Sequence, residues 1–168
     1  MYKVEVGKGN LNFSAAHFIS FGGKCERLHG HNYAVSVSLE GNLTEDRYVF
    51  DFVELKKTIR RICDRLDHHF LLPMQSQHLD IKEADEEWEI RFENRRYVFP
   101  AEDVLVLPVD SITAERLAEY VCGQLLETMP KHQTANLRLI TVGVEEAPGQ
   151  TAFYQHSFQR DEIPGSTP

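Results

Sequence analysis

Three histidines carry the first chemical signal in this chain. His29 and His31 stand two residues apart in His29-Gly30-His31. On a strand, side chains at that spacing leave one face, with their Cα atoms about 6–7 Å apart. Two imidazoles so placed can converge on one ion. His17 lies on the apolar side of an earlier period-two segment, so a hairpin between the segments would bring a third imidazole to the same point. Three neutral ring nitrogens at roughly 2.0–2.1 Å are how a catalytic zinc is held, with the fourth position open. Two other readings stay open. His-Gly-His can be a turn whose rings only hydrogen-bond, or the ion can be structural, closed by Cys25 as a fourth ligand.

Other reactive groups lie close by in sequence. Cys25 sits in a loop that also carries Gly22 and Gly23, whereas Cys63 and Cys122 fall on helical patterns and read as small buried hydrophobes. Asp67-His68 is either an acid-base pair or a helix C-terminus where the dipole favours a cation. Glu146 shares strand parity with Val142 and Val144, so it points inward, while Glu145 points outward with Gly143. An inward carboxylate is costly without a partner.

The elements that would position these groups follow from periodicity. Residues 11–19 alternate as a half-buried strand, and residues 29–40 do so again after the glycine loop. The two are expected to pair as a long hairpin. Gly41-Asn42 is expected to turn the chain into a segment at 48–52. Asp51 with Glu54 looks like a capping box before the stripe Leu55, Ile59, Ile62, Cys63, Leu66, which predicts a helix over 53–66. Ser111 or Thr113 can cap a second helix whose apolar face is Ala114, Leu117, Ala118, Val121 and Leu125, ending before Pro130. Strands are expected at 136–146 and 151–158, joined through Pro148-Gly149. Between Pro73 and Pro108 the alternating segments 88–92 and 96–99 suggest an inserted hairpin, and the tail 160–168 reads as frayed.

Length and composition bound the rest. A chain of 168 residues with 42% apolar and 26% charged residues fits one domain, residues 1–168, of ordinary globular type. A net charge of −8 with no basic stripe argues against nucleic acid. The start lacks the apolar core of a signal peptide, and no run is long enough to span a bilayer, so no membrane is expected. Three cysteines without paired spacing suit a reducing, cytoplasmic setting.

In order and spacing, Phe13-Ser-Ala-Ala-His17, Cys25-x-x-x-His29-Gly-His31-Asn-Tyr33, Asp51-Phe52, Leu66-Asp67-His68, Thr113-Ala-Glu115 and Val142-x-Val144-x-Glu146 resemble the 6-pyruvoyltetrahydropterin synthase and 6-carboxytetrahydropterin synthase family. The match covers residues 11–72 and 105–158. The resemblance implies an α+β tunnelling fold, a four-stranded antiparallel sheet with two helices on one face, assembled edge to edge into homo-oligomers, commonly hexamers. It implies Zn2+ on His17, His29 and His31, Cys25 as general base, and Asp67 with His68 as a proton relay reaching the cysteine of a neighbouring subunit. It also implies that Glu146 anchors the amino-pyrimidine edge of a pterin, helped by Thr113 and Glu115. Ala147 and Arg116 depart from the threonine and asparagine common at those places. A thiol starts near pKa about 8.5 and falls beside a metal or cation, so the resemblance makes Cys25 a thiolate at neutral pH.

The three residues between Cys25 and His29 resemble the 6-carboxytetrahydropterin synthases of the queuosine pathway, which act on 7,8-dihydroneopterin triphosphate. The 6-pyruvoyl enzymes usually have a longer spacing. Glu26 makes the motif Cys-Glu-x-x-His-Gly-His, similar to a variant that also carries the acid of folate-pathway relatives, which leave 6-hydroxymethyl-7,8-dihydropterin. Glu26 is then a second acid-base group or a solvated loop acid. A zinc-stabilised pterin-binding protein without turnover and a zinc-water hydrolase are the readings from other classes.

Overall fold

A computed structural model describes residues 1–7 and 9–158, so the tail expected to fray lies outside the described residues. In chain order the strands and helices are β1 (Tyr2–Val6), β2 (Asn12–His17), β3 (Ser20–Phe21), β4 (Lys24–Cys25), β5 (His29–Gly41), α1 (Phe52–Leu66) and β6 (His69–Pro73). There follow β7 (Asp80–Ala84), β8 (Glu87–Phe92), β9 (Arg95–Pro100), β10 (Val104–Leu107), α2 (Ala114–Thr128), α3 (Lys131–Thr134), β11 (Leu137–Ala147) and β12 (Gln150–Ser157).

The long strand β5 organises the molecule. Its first half pairs antiparallel with β2, in the register His17↔His29 and Ala15↔His31, so the expected hairpin of histidine strands forms. Its second half pairs with β1, and its other edge pairs along most of its length with β11, which carries β12. The α+β class holds, but a four-stranded antiparallel sheet does not. The main sheet has seven strands and is mixed, because β6 and β10 add to β2 in parallel in the order β10-β6-β2-β5-β11-β12. Both added strands are short apolar runs, Phe70-Leu71-Leu72 and Val104-Leu105-Val106, too brief to show a period.

Both helices pack on one face of this sheet. Leu55, Ile59, Ile62, Cys63 and Leu66 of α1 share a core with Leu117, Ala118, Val121 and Leu125 of α2 and with Phe13, Tyr33, Val35 and Val37 from the strands. Fully burying an aliphatic or aromatic side chain contributes roughly 1.5–3 kcal/mol, so this stripe fixes where α1 begins and ends. Asp51 caps it as expected, its Oδ1 accepting from the Val53 N–H at 2.6 Å and the Glu54 N–H at 3.3 Å. Thr113 is the cap of α2, accepting from the Arg116 N–H at 3.3 Å. Residues 48–52 form no strand and carry the Asp51 cap into α1; both edges of the end of β5 are already taken, Gly41 pairing with Tyr2 and with Leu137.

The segment after β6 also exceeds its sequence signal. The expected hairpin is present as β8 and β9, and β7 adds a third antiparallel strand, Ile81 pairing with Ile90. Its pattern Asp80-Ile-Lys-Glu-Ala is mostly polar and almost wholly exposed, which hid it. One side of this small sheet, through Trp88, Ile90, Tyr97 and Phe99, packs on Phe18, Cys25, Phe70 and Leu72, forming a second apolar cluster.

Candidate active site

The β2–β5 ladder brings His17, His29 and His31 together. One ligating atom from each lies within 4.8 Å of the others. The rings stand 4.6 to 5.3 Å apart, centroid to centroid. Gly30 makes this possible: a Cβ there would meet the Ala15 carbonyl oxygen at 2.7 Å, so a larger residue between the histidines would push the strands apart. His17 is buried and its Nδ1 bonds the Ile112 carbonyl at 2.9 Å, while His29 Nδ1 bonds the Arg27 carbonyl at 2.8 Å. Carbonyls only accept, so both Nδ1 atoms carry the proton and both Nε2 atoms present lone pairs, that of His17 accepting from the Tyr33 hydroxyl. That is the outer-sphere arrangement that orients ligating histidines. Burial and the neighbouring His29 lower the His17 pKa to about 4, so its ring is neutral, as a ligand must be. The donor set and its geometry fit a metal ion. The group is these three residues and does not include Cys25.

Tyr33 was not singled out by its sequence, although it shares the strand parity of His29 and His31. It is fully buried, stacks on Phe13 with centroids 4.8 Å apart, and its hydroxyl lies 3.3 Å from His17 Nε2. Its pKa is pushed up by burial and by the charge of Glu146. Glu146 therefore lies within electrostatic reach of the Tyr33 hydroxyl. It occupies a β-bulge: Glu145 pairs with Thr151 and Ala147 with Gln150, leaving Glu146 as the extra residue. A bulge re-aims a side chain, and this one sits where β11 ends.

Thr113, Glu115 and Glu146 line one cleft of about 330 Å³ with Ile19, Gln150 and Thr151. Larger concavities exist, one lined by Lys56, Lys57 and Arg60 and another by Glu45, Asp46 and Asp51. They hold none of the candidate metal-binding, catalytic or substrate-binding groups, and the smaller cleft is preferred on that chemistry. It is tied to the histidines through two adjacent residues, since Ile112 orients His17 and Thr113 caps α2. Arg116, which departs from the family's asparagine, is held by Asp110 at 2.7 Å and by Glu119.

Cys25 lies on β4, facing Ser20 across a ribbon of two-residue strands, and is buried in the second apolar cluster. Burial pushes its thiol up, and Arg95 opposes that. The chain alone therefore does not produce the low thiol pKa expected at this position. Glu26 follows, with Oε2 at 3.9 Å from His29 Nε2. Cys63 and Cys122 are core residues, pushed up by burial to about 12 and about 11.

Asp67 and His68 are placed differently. Asp67 is the C-cap of α1, and its Oδ1 accepts from the Ser14 N–H at 2.7 Å, which with His68 lowers its pKa. His68 adopts a left-handed backbone, φ 58°, and its N–H donates to the Ser14 carbonyl at 2.7 Å. Its Nδ1 meets Asp67 Oδ2 at 2.8 Å, and its side chain is 82% exposed. The pair is preformed. Among the described residues no hydrogen bond joins it to Cys25 or to the histidine cluster.

Comparison with known proteins agrees with this geometry. The 6-pyruvoyl tetrahydropterin synthase family matches residues 8–157. A Methanocaldococcus jannaschii protein provisionally named 6-carboxy-5,6,7,8-tetrahydropterin synthase is 37% identical over 146 residues, covering 86% of this chain and 90% of that protein. The 6-pyruvoyl tetrahydropterin synthase of Plasmodium falciparum superposes with a TM-score of 0.90 at 35% identity, covering 94% of this chain and 98% of that one. A Plasmodium vivax 6-pyruvoyltetrahydropterin synthase, solved as a variant in which a catalytic glutamate is replaced by alanine, gives 0.89 at 38% identity with the same coverage. The chain belongs to the 6-pyruvoyl tetrahydropterin synthase family, a family of lyase-type enzymes.

Proposed function

We propose that this enzyme is a zinc-dependent lyase that converts 7,8-dihydroneopterin triphosphate and one water to 6-carboxy-5,6,7,8-tetrahydropterin, acetaldehyde and triphosphate, as in the queuosine-type pathway. The observation that carries the reading is the joining of the His17, His29, His31 cluster to the Glu146 cleft through Ile112-Thr113. The relatives' names support the product.

Zn2+ held by Nε2 of His17, Nε2 of His29 and a ring nitrogen of His31 would supply Lewis-acid stabilisation of charge on a side-chain oxygen of the substrate. The chain's own residues do the rest. Glu146 accepts the two parallel N–H donors of the pterin's amino-pyrimidine edge, with Thr113 and Glu115 flanking the ring. Cys25 removes the carbon-bound proton, and Arg95 offsets the rise that burial imposes on its thiol. Asp67 orients His68, and the exposure of His68 supports a relay that serves the cysteine of an adjacent subunit in a homo-oligomer, a hexamer by resemblance. No described helix is long and apolar enough to cross a membrane, and a cytoplasmic setting is part of this proposal.

A second reading is favoured by one contact. Glu26 lies 3.9 Å from His29, and the Plasmodium vivax relative uses a catalytic glutamate. With Glu26 as base the side chain would be cleaved to leave 6-hydroxymethyl-7,8-dihydropterin. Incubation of zinc-loaded protein with 7,8-dihydroneopterin triphosphate, with the product identified by mass spectrometry, separates these. A carboxylated pterin with acetaldehyde is expected. A hydroxymethyl pterin assigns the second reading, and unchanged substrate overturns both.

A further inference from the structure

The loop that carries Cys25 and Glu26 has little of its own to hold it. The β3–β4 ribbon pairs two residues with two, around Gly22 and Gly23 at φ 55° and 74°, a turn that only residues tolerant of positive φ can make. A two-stranded ribbon is marginal in water even when longer. One backbone bond ties its end to the preceding strand region, the Glu26 N–H donating to the Ile19 carbonyl at 2.9 Å. Cys25 packs beside Phe18, Phe70 and Leu72, and two further hydrogen bonds reach the loop from the small three-stranded sheet.

Arg95, the first residue of β9, places one guanidinium nitrogen, Nη1, at 2.7 Å from the Cys25 carbonyl and 3.0 Å from the Glu26 carbonyl. Strand parity puts Arg95 on the same face as Tyr97 and Phe99, which pack against the cluster around Cys25, Phe18 and Trp88. Arg96, one residue on, faces the other way and pairs with Glu89, as does Arg91. Three arginines lie on this hairpin, and only one is aimed at the loop.

We propose that Arg95 is a positioning residue for the catalytic loop: its guanidinium clamps the two consecutive carbonyls of Cys25 and Glu26, so that the added sheet β7–β9 fixes both candidate bases against the histidine site. This rests on the functional reading above, which makes that loop catalytic. The charge also stands next to a thiol whose other charged neighbour, Glu26, works in the opposite direction. Removing Arg95 should therefore affect the reactivity of Cys25 as well as its position.

The test compares Arg95→Met, Arg95→Lys and Arg96→Met in the full-length, zinc-loaded protein. Iodoacetamide labelling of Cys25, resolved from Cys63 and Cys122 by peptide mapping, is followed across the neutral and alkaline range. Zinc content, kcat and KM are measured on 7,8-dihydroneopterin triphosphate. Arg95→Met should keep its zinc and its KM, lose roughly 10- to 100-fold in kcat, and move the Cys25 labelling profile to higher pH. Arg95→Lys should recover part of both effects, and Arg96→Met should show neither. Arg95→Gln, which keeps a donor and removes the charge, makes the same comparison if the methionine variant does not fold. An unchanged labelling profile and kcat in Arg95→Met, or an equal loss in Arg96→Met, overturns the proposal. A shifted profile in Arg95→Met together with no turnover by the unaltered protein upholds the clamp and overturns the substrate assignment instead.

Discussion

The two halves of the site are built by opposite means. The histidines sit on paired regular strands, and their cluster follows from register: His17 opposite His29, His31 opposite Ala15, and Gly30 leaving room for the Ala15 carbonyl. The Cys25–Glu26 loop sits on a two-residue ribbon and is held from outside by Arg95 and the second apolar cluster. The first half is rigid because the backbone ladder that makes the sheet also makes the site. The second depends on contacts from outside its own ribbon, made by an appended sheet that is not part of the ladder.

The comparison breaks most sharply at Gly30. Gly30→Ala puts a Cβ 2.7 Å from the Ala15 carbonyl, so the strands must separate where the histidines face each other. Zinc stoichiometry, measured by plasma mass spectrometry, should fall below half an ion per chain, with activity down on the order of 100-fold or more. Retained zinc and turnover would mean that register does not build the site.

Glu146→Gln addresses the cleft. It removes one charge from the bulge while leaving the fold intact, and should lower kcat/KM by about 10- to 100-fold with zinc still bound. A stopped-assay comparison of rates with bound-zinc content checks this, and parallel loss of both would place Glu146 in the metal half.

His17 provides a pH test of the metal-free protein. Its folded pKa, about 4, lies below the ordinary value of 6.5, so between those values the unfolded chain binds a proton that the folded chain refuses. Stability should therefore be unaffected by this group above 6.5, fall as pH drops through that window, and level off below about 4, by roughly 3 kcal/mol at most. Thermal melts of the chelator-treated protein should show this slope, and His17→Gln should flatten it.

The smallest expected effect is at Asp67. Asp67→Ala leaves the Ser14 N–H without its acceptor and should cost on the order of 1 kcal/mol in thermal unfolding. Because its folded pKa is depressed, the stabilisation it supplies is present above the ordinary carboxylate range and is lost as pH falls through the lower folded value. Zinc binding should not change.

What was legible in the sequence follows the same division. The histidine strands, both helices and their caps were readable because each is a local rule repeated along a segment, whereas the bulge at Glu146 interrupts the parity read along its strand. Thr113, Glu115 and Glu146 do meet in one cleft. The parallel strands β6 and β10 were hidden, since a short buried apolar run has no period to display. The third strand β7 was hidden by its polar composition. The clamp from Arg95 and the Ile112 carbonyl behind His17 cross from elements about 70 and 95 residues away, and no spacing rule announces such contacts. In the metal-free chain the Cys25 thiol is raised because it is packed among apolar side chains, and a motif does not encode its surroundings.

The central claim, that the histidines alone hold the ion and leave Cys25 free as a base, is tested most directly by X-ray absorption at the zinc edge of the purified protein. The zinc should have nitrogen and oxygen neighbours only, at roughly 2.0–2.1 Å, unchanged in Cys25→Ser. A sulfur neighbour at about 2.3 Å that disappears in Cys25→Ser would make the site closed and structural, and would contradict it.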